Sequence, residues 1–132
     1  MKHFEKLENF VKSNKNWEEI LKPNMKSIYP VEGRNWVVLM YNLMDMPKDK
    51  EIFDIMCQCR GTVIDKTTGE IICAPFTKFW NYKDEGVAAD IDWPSAWVSH
   101  KRDGWIFKAF KWHGNVYWMS NGRVITENEK GA

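Results

Sequence analysis

From Arg60 onward the chain is punctuated as hairpins. Arg60-Gly-Thr-Val-Ile-Asp65 and Glu70-Ile-Ile-Cys-Ala-Pro75 are short and rich in β-formers, and Lys-Thr-Thr-Gly69 separates them with Gly69 as the turn residue. Further on, Trp105–Trp112 and Val116–Ser120 flank the turn His113-Gly-Asn115. Asn121-Gly122 is another hairpin-type turn, and Arg123–Thr126 can begin a last strand. Strands joined this tightly pair antiparallel, because parallel neighbours need a long crossover.

The first half reads differently. Residues 3–12 predict an amphipathic helix with Phe4, Leu7 and Val11 on one face. Asn16 is placed to cap a second short helix carrying Trp17, Ile20 and Leu21, and Pro23-Asn24 stop it. Trp36-Val-Val-Leu-Met-Tyr-Asn42 is a strand by composition. Pro47 suits the first turn of a helix reaching Cys57, with Ile52, Ile55 and Met56 inward. Residues 83–97 read as loop and short helix, and Val98–Lys101 as a short strand. The fold class is therefore α+β: helices first, then an antiparallel sheet. At 132 residues, one domain fits.

Charge narrows the function. Lys plus Arg number 19 and Asp plus Glu 18, a net charge of +1, which excludes a polybasic protein that binds through bulk charge. Any nucleic-acid site must be local. Aromatics reach 14%, with eight tryptophans; they fill cores and also stack on bases. The N-terminus is charged and lacks an apolar leader region, and the longest apolar run, Trp36–Tyr41, is too short for a bilayer, so a cytoplasmic chain is expected. Cys57, Cys59 and Cys73 lack metal-site spacing and read as reduced thiols, with no metal site among them.

The chemistry-bearing stretch is His100-Lys101-Arg102-Asp103-Gly104, a K-x-D-G sequence. A lysine amine attacks phosphorus only when neutral, and burial or a neighbouring cation favours that form. Asp103-Gly104 lets backbone come close to a ligand. Four such residues alone also describe an ordinary surface turn. They are preceded, in order, by Cys59-Arg60-Gly61 and by Pro75-Phe76-Thr77-Lys78-Phe79-Trp80-Asn81-Tyr82. The ordered set resembles the N-terminal half of the phage-type RNA ligase 1 family, which includes tRNA-repair ligases, over roughly residues 30–125. The aromatic strand around Tyr41-Asn42 also fits.

The resemblance implies a partial adenylyltransferase (nucleotidyltransferase) domain of the covalent ligase type, spanning 1–132, with ATP and Mg²⁺ as cofactors. RNA 5′-phosphate and 3′-hydroxyl ends would be the partners. Lys101 would be the nucleophile forming a lysyl-adenylate. Arg60 and Lys78 would lie near the triphosphate, Trp80 would fill an essential aromatic position, and Asp103 and Gly104 would complete the nucleotide motif. Arg60, Lys78 and Lys101 are expected to converge on one concavity. The sequence departs from the pattern at Trp105, where a small hydroxyl residue is usual, and at Asn121, where an S-K-G-like stretch carries lysine. The family's later motifs would fall beyond residue 132. A chain truncated at its C-terminus, inactive alone and completed by the missing portion, is the expectation; a polar tail on a small whole domain is the alternative. A non-catalytic ligase-like module that binds nucleotide or RNA stays open beside the enzyme, as does a structural or inhibitory role. The stripe Trp105, Phe107, Phe110 and Trp112 is expected in a core. Lys108 and Lys111 are expected in solvent, His113 in a turn, and His100 without a role.

Overall fold

The computed structural model describes residues 4–84 and 90–126. Helix α1 (Glu5–Ser13) and helix α2 (Trp17–Leu21) are followed by a short 3₁₀ turn through Pro23 and by strands β1 (Met25–Pro30) and β2 (Trp36–Tyr41). Helix α3 (Lys50–Cys57) leads into strands β3 (Arg60–Asp65) and β4 (Ile71–Cys73). Strands β5 (Lys108–Trp112) and β6 (Asn115–Met119) come last. The first four strands form one antiparallel sheet in the order β1-β2-β3-β4, and β5-β6 form a separate hairpin. Mixed helix and strand with antiparallel pairing throughout match the α+β expectation; helices-then-sheet does not hold, since the β1-β2 pair precedes α3.

The sheet is covered on both faces, which is why β2 reads as an unbroken apolar run. Val37 and Leu39 point into a core shared with Leu7, Trp17, Leu21, Ile55 and Met56 from the three helices. Trp36 and Val38 point the other way, into a second core with Val63, Ile72, Met119 and Val124, against which Phe110, Trp112 and Tyr117 of the hairpin pack. The order of layers is helices, sheet, hairpin. The helical layer is fixed by polar contacts too: Gln58 Oε1 accepts the Leu7 N–H at 2.9 Å, one of the donors that the start of α1 leaves unpaired.

Several readings need correction. β1 was not foreseen: its Lys, Ser and Pro residues dilute the β signal, and Pro30 is tolerated because it ends an edge strand. Helix α3 starts at Lys50, not at Pro47, because Asp49 takes the cap position and its carboxylate accepts the Ile52 N–H at 2.9 Å. Asn16 does precede α2, but its side chain makes no capping bond. Val98–Lys101 is not a strand, and β5 begins only at Lys108; residues 96–107 are exposed throughout. Without a partner strand, the core reading fails for Trp105 (95% exposed) and Phe107 and holds for the half-buried Phe110 and Trp112. Val124 makes an isolated bridge to Met119, and the segment after Thr126 lies outside the described residues. Among the described residues, no helix is long and apolar enough to cross a membrane.

A basic and aromatic candidate site at one end of the sheet

Arg60 opens β3 beside a bulge. Leu39 pairs with Thr62 and Met40 with Arg60, so Gly61 is the extra residue. Its φ of +77° is the left-handed conformation that such a bulge requires and that glycine takes without strain. The bulge brings Arg60 into register with Met40, whose side chain faces Gly122 after the hairpin. The Arg60 guanidinium lies 4.3 Å from the centre of the Phe79 ring, itself 66% exposed.

The segment after β4 closes this end of the sheet. The Lys78 N–H donates to the Cys57 carbonyl at 2.8 Å, satisfying one of the last carbonyls of α3. The Lys78 ammonium stands 4.3 Å from the Trp80 ring and 5.5 Å from the Tyr41 ring. Trp80 stacks on Phe53 of α3 with centroids 5.9 Å apart and planes 9° from parallel. Lys78 thus packs with Trp80 and Tyr41, and Phe79 with Arg60. Both groups lie at one end of the sheet, but among the described residues no contact joins Arg60 to Lys78, or either of them to Lys101, so the expected single concavity of three cations is not seen.

Lys101, Asp103 and Gly104 are placed elsewhere in character. All three are exposed within 96–107, and a Cβ on Gly104 would meet nothing within 4 Å. Among the described residues, no hydrogen bond, ion pair or ring contact links Lys101 to Arg60, Lys78 or Trp80.

The lysine that meets the residue next to Arg60 is Lys108. Its ammonium donates to the Gly61 carbonyl at 3.2 Å and to the Asn121 carbonyl at 3.3 Å. Burial pulls it below the ordinary lysine value; Cys73 opposes this, and the Arg60 charge adds to it. The expectation of a solvated Lys108 is thus overturned, whereas Lys111 is exposed. The signal was in the alternation: Lys108, Phe110 and Trp112 share the face of β5 that packs on the sheet.

A second cationic-aromatic cluster lies at the opposite end of β2. Arg34 Nη2 donates to the Tyr117 hydroxyl at 2.6 Å, and its guanidinium sits 4.8 Å from the Trp36 ring centre and 5.3 Å from that of Tyr117. These residues border a cleft of about 620 Å³ together with Trp118 and Val124. Here the cation and the rings are committed to one another.

Among the described residues, no group of three or more His, Cys, Asp or Glu is placed to hold a metal ion. Cations such as those at the Arg60 end can pair with phosphate, and among the described residues no ready-made Mg²⁺ cage lies there. Comparison with protein-family models, with curated proteins and with solved structures found no match.

Proposed function

We propose that this chain is the nucleotide-binding front of an ATP-dependent RNA ligase, a nucleotidyltransferase that acts through a lysyl-adenylate. The observation that supports this reading most is the meeting of two of the three ordered motifs in space. Cys59-Arg60-Gly61 and Pro75–Tyr82 are separated by a hairpin in sequence, yet Phe79 and Arg60 touch. Fixed cations beside exposed rings suit a nucleotide, whose phosphates take the charge and whose base stacks.

In the reaction, the Lys101 amine attacks the α-phosphorus of ATP. The new N–P bond replaces the bond to the β-phosphate oxygen, and pyrophosphate leaves. The adenylyl group then passes to an RNA 5′-phosphate, and a 3′-hydroxyl displaces AMP to join the strands. Arg60 and Lys78 offset charge on the phosphates. Strand joining would draw on motifs that the resemblance puts beyond residue 132, so adenylyl transfer is the step to test.

Incubation with α-labelled ATP and Mg²⁺ should leave label on the protein as an acid-labile phosphoramidate. Lys101→Arg should abolish it, since arginine stays protonated at working pH. Label that persists in Lys101→Arg retires the enzyme, and ATP binding without label supports a second reading. One observation favours the second reading, a ligase-like module that binds RNA or nucleotide without chemistry: Lys101 is exposed and unpartnered among the described residues. That reading expects ATP or RNA binding with no covalent product.

A further inference from the structure

We propose that Lys108 and Arg60 form a phosphate-binding pocket at the mouth between the four-stranded sheet and the hairpin, taking the phosphate chain of a nucleotide. The choice of a nucleotide rests on the ligase reading; the pocket itself rests on the geometry. Two features of one residue build it. Gly61 is the bulge that re-registers Arg60 with Met40, and its missing Cβ leaves the space that the Lys108 ammonium and the Asn121 carbonyl occupy. Any side chain there would collide with both.

The charges are left unanswered by the chain. Lys108 donates to two carbonyls, which leaves one of its three N–H groups for another acceptor. Arg60 has its guanidinium over a ring and makes no hydrogen bond among the described residues. Neither residue pairs with a carboxylate among the described residues, unlike Lys6 with Asp54, Lys12 with Glu8 and Lys66 with Glu18. Burial lowers the Lys108 value, and the Arg60 charge adds to this, so the ammonium lacks an opposite charge there. A bound anion supplies that charge where water screens it least.

The test uses the whole chain with inorganic tripolyphosphate, ATP and adenosine at low salt. Wild type should bind tripolyphosphate and ATP. Lys108→Met, which keeps the buried stem and removes the charge, should weaken both about tenfold or more, as should Arg60→Met. Lys111→Met should bind like wild type, and adenosine should not discriminate among the four proteins. Equal tripolyphosphate affinity in Lys108→Met and wild type, or no binding by wild type, overturns the pocket. Should Lys108→Met fail to fold, wild type carrying ¹³C at lysine Cε decides. The Lys108 signal then shifts on adding tripolyphosphate while Lys111 stays still, and an unmoved Lys108 signal overturns the proposal. Tripolyphosphate binding that depends on Lys108 without AMP labelling supports the pocket and removes the ligase; labelling without that dependence does the reverse.

Discussion

The Lys108 ammonium sits 3.2 Å from the Gly61 carbonyl oxygen, so the hairpin is tied to the sheet through the one residue of β3 that has no side chain. Gly61→Ala should therefore destabilise the protein twice over. The φ of +77° alone costs an L-residue about 1–2 kcal/mol. The Cβ would also collide with the Asn121 carbonyl and the Lys108 ammonium. Gly33→Ala is the control, because Gly33 has φ +74° with nothing within 4 Å of its Cβ position. Denaturant titration should show a clearly larger loss at Gly61. Equal losses would mean that the junction yields without cost.

The two helix starts separate capping by position from capping by bond. Asp49 accepts the Ile52 N–H, and Asp49→Ala should cost about 1 kcal/mol of stability. Asn16 occupies the same place before α2 without a capping bond, so Asn16→Ala should cost much less. A reversed order in chemical denaturation would contradict the geometry at both helices.

What could be read from the sequence tracks how local each signal is. The β3-β4 hairpin, the faces of α1 and the turn at His113-Gly114 depend on residues near one another in the chain, and each was legible. His113 and Gly114 take φ values of 44° and 82°, the pattern of a tight two-residue turn. Strand β1 owes its existence to pairing with β2, and no feature of Met25–Pro30 announces that partner. The start of β5 was misjudged for the same reason, since Trp105–Phe107 has β-forming residues and no neighbouring strand. At the candidate site, Arg60, Lys78 and Trp80 were found through motif order. Lys108 was missed because motif order ignores which face a residue takes. The Asn121 carbonyl accepts from the ammonium of Lys108 on β5.

Two tryptophans on the aromatic part of the chain should respond differently. Trp80 stacks on Phe53 and holds the Lys78 ammonium over its ring, so Trp80→Ala should cost roughly 1–3 kcal/mol. Trp105 is almost fully exposed, and Trp105→Ala should change stability by less than about 0.5 kcal/mol. Thermal unfolding of the two variants decides. A large loss at Trp105 would show that it has a packing partner in the folded chain.

Alkaline pH should unfold the protein through its thiols. Burial raises Cys57, Cys59 and Cys73 above the ordinary thiol value of 9.0, with Cys59 raised furthest. The folded chain then keeps these protons where the unfolded chain has lost them. The stability that this difference contributes is whole below about pH 9 and drains away above it. Lys108 works in the other direction: its folded value is lowered, so its contribution rises as pH climbs toward 10.5. Three thiols oppose one ammonium, and Cys59 is fully buried, so the net effect should be a loss of stability above about pH 9. Cys59→Ala supplies the check. At neutral pH it should be the weaker protein by roughly 1 kcal/mol, having lost a packed sulfur and its bond to the Ile55 carbonyl. Above about pH 9 its stability should fall less steeply than that of wild type, and the gap should close. Parallel pH profiles for the two proteins, measured by denaturant titration between about pH 7 and 10.5, would show that Cys59 is not the group whose ionisation unfolds the chain.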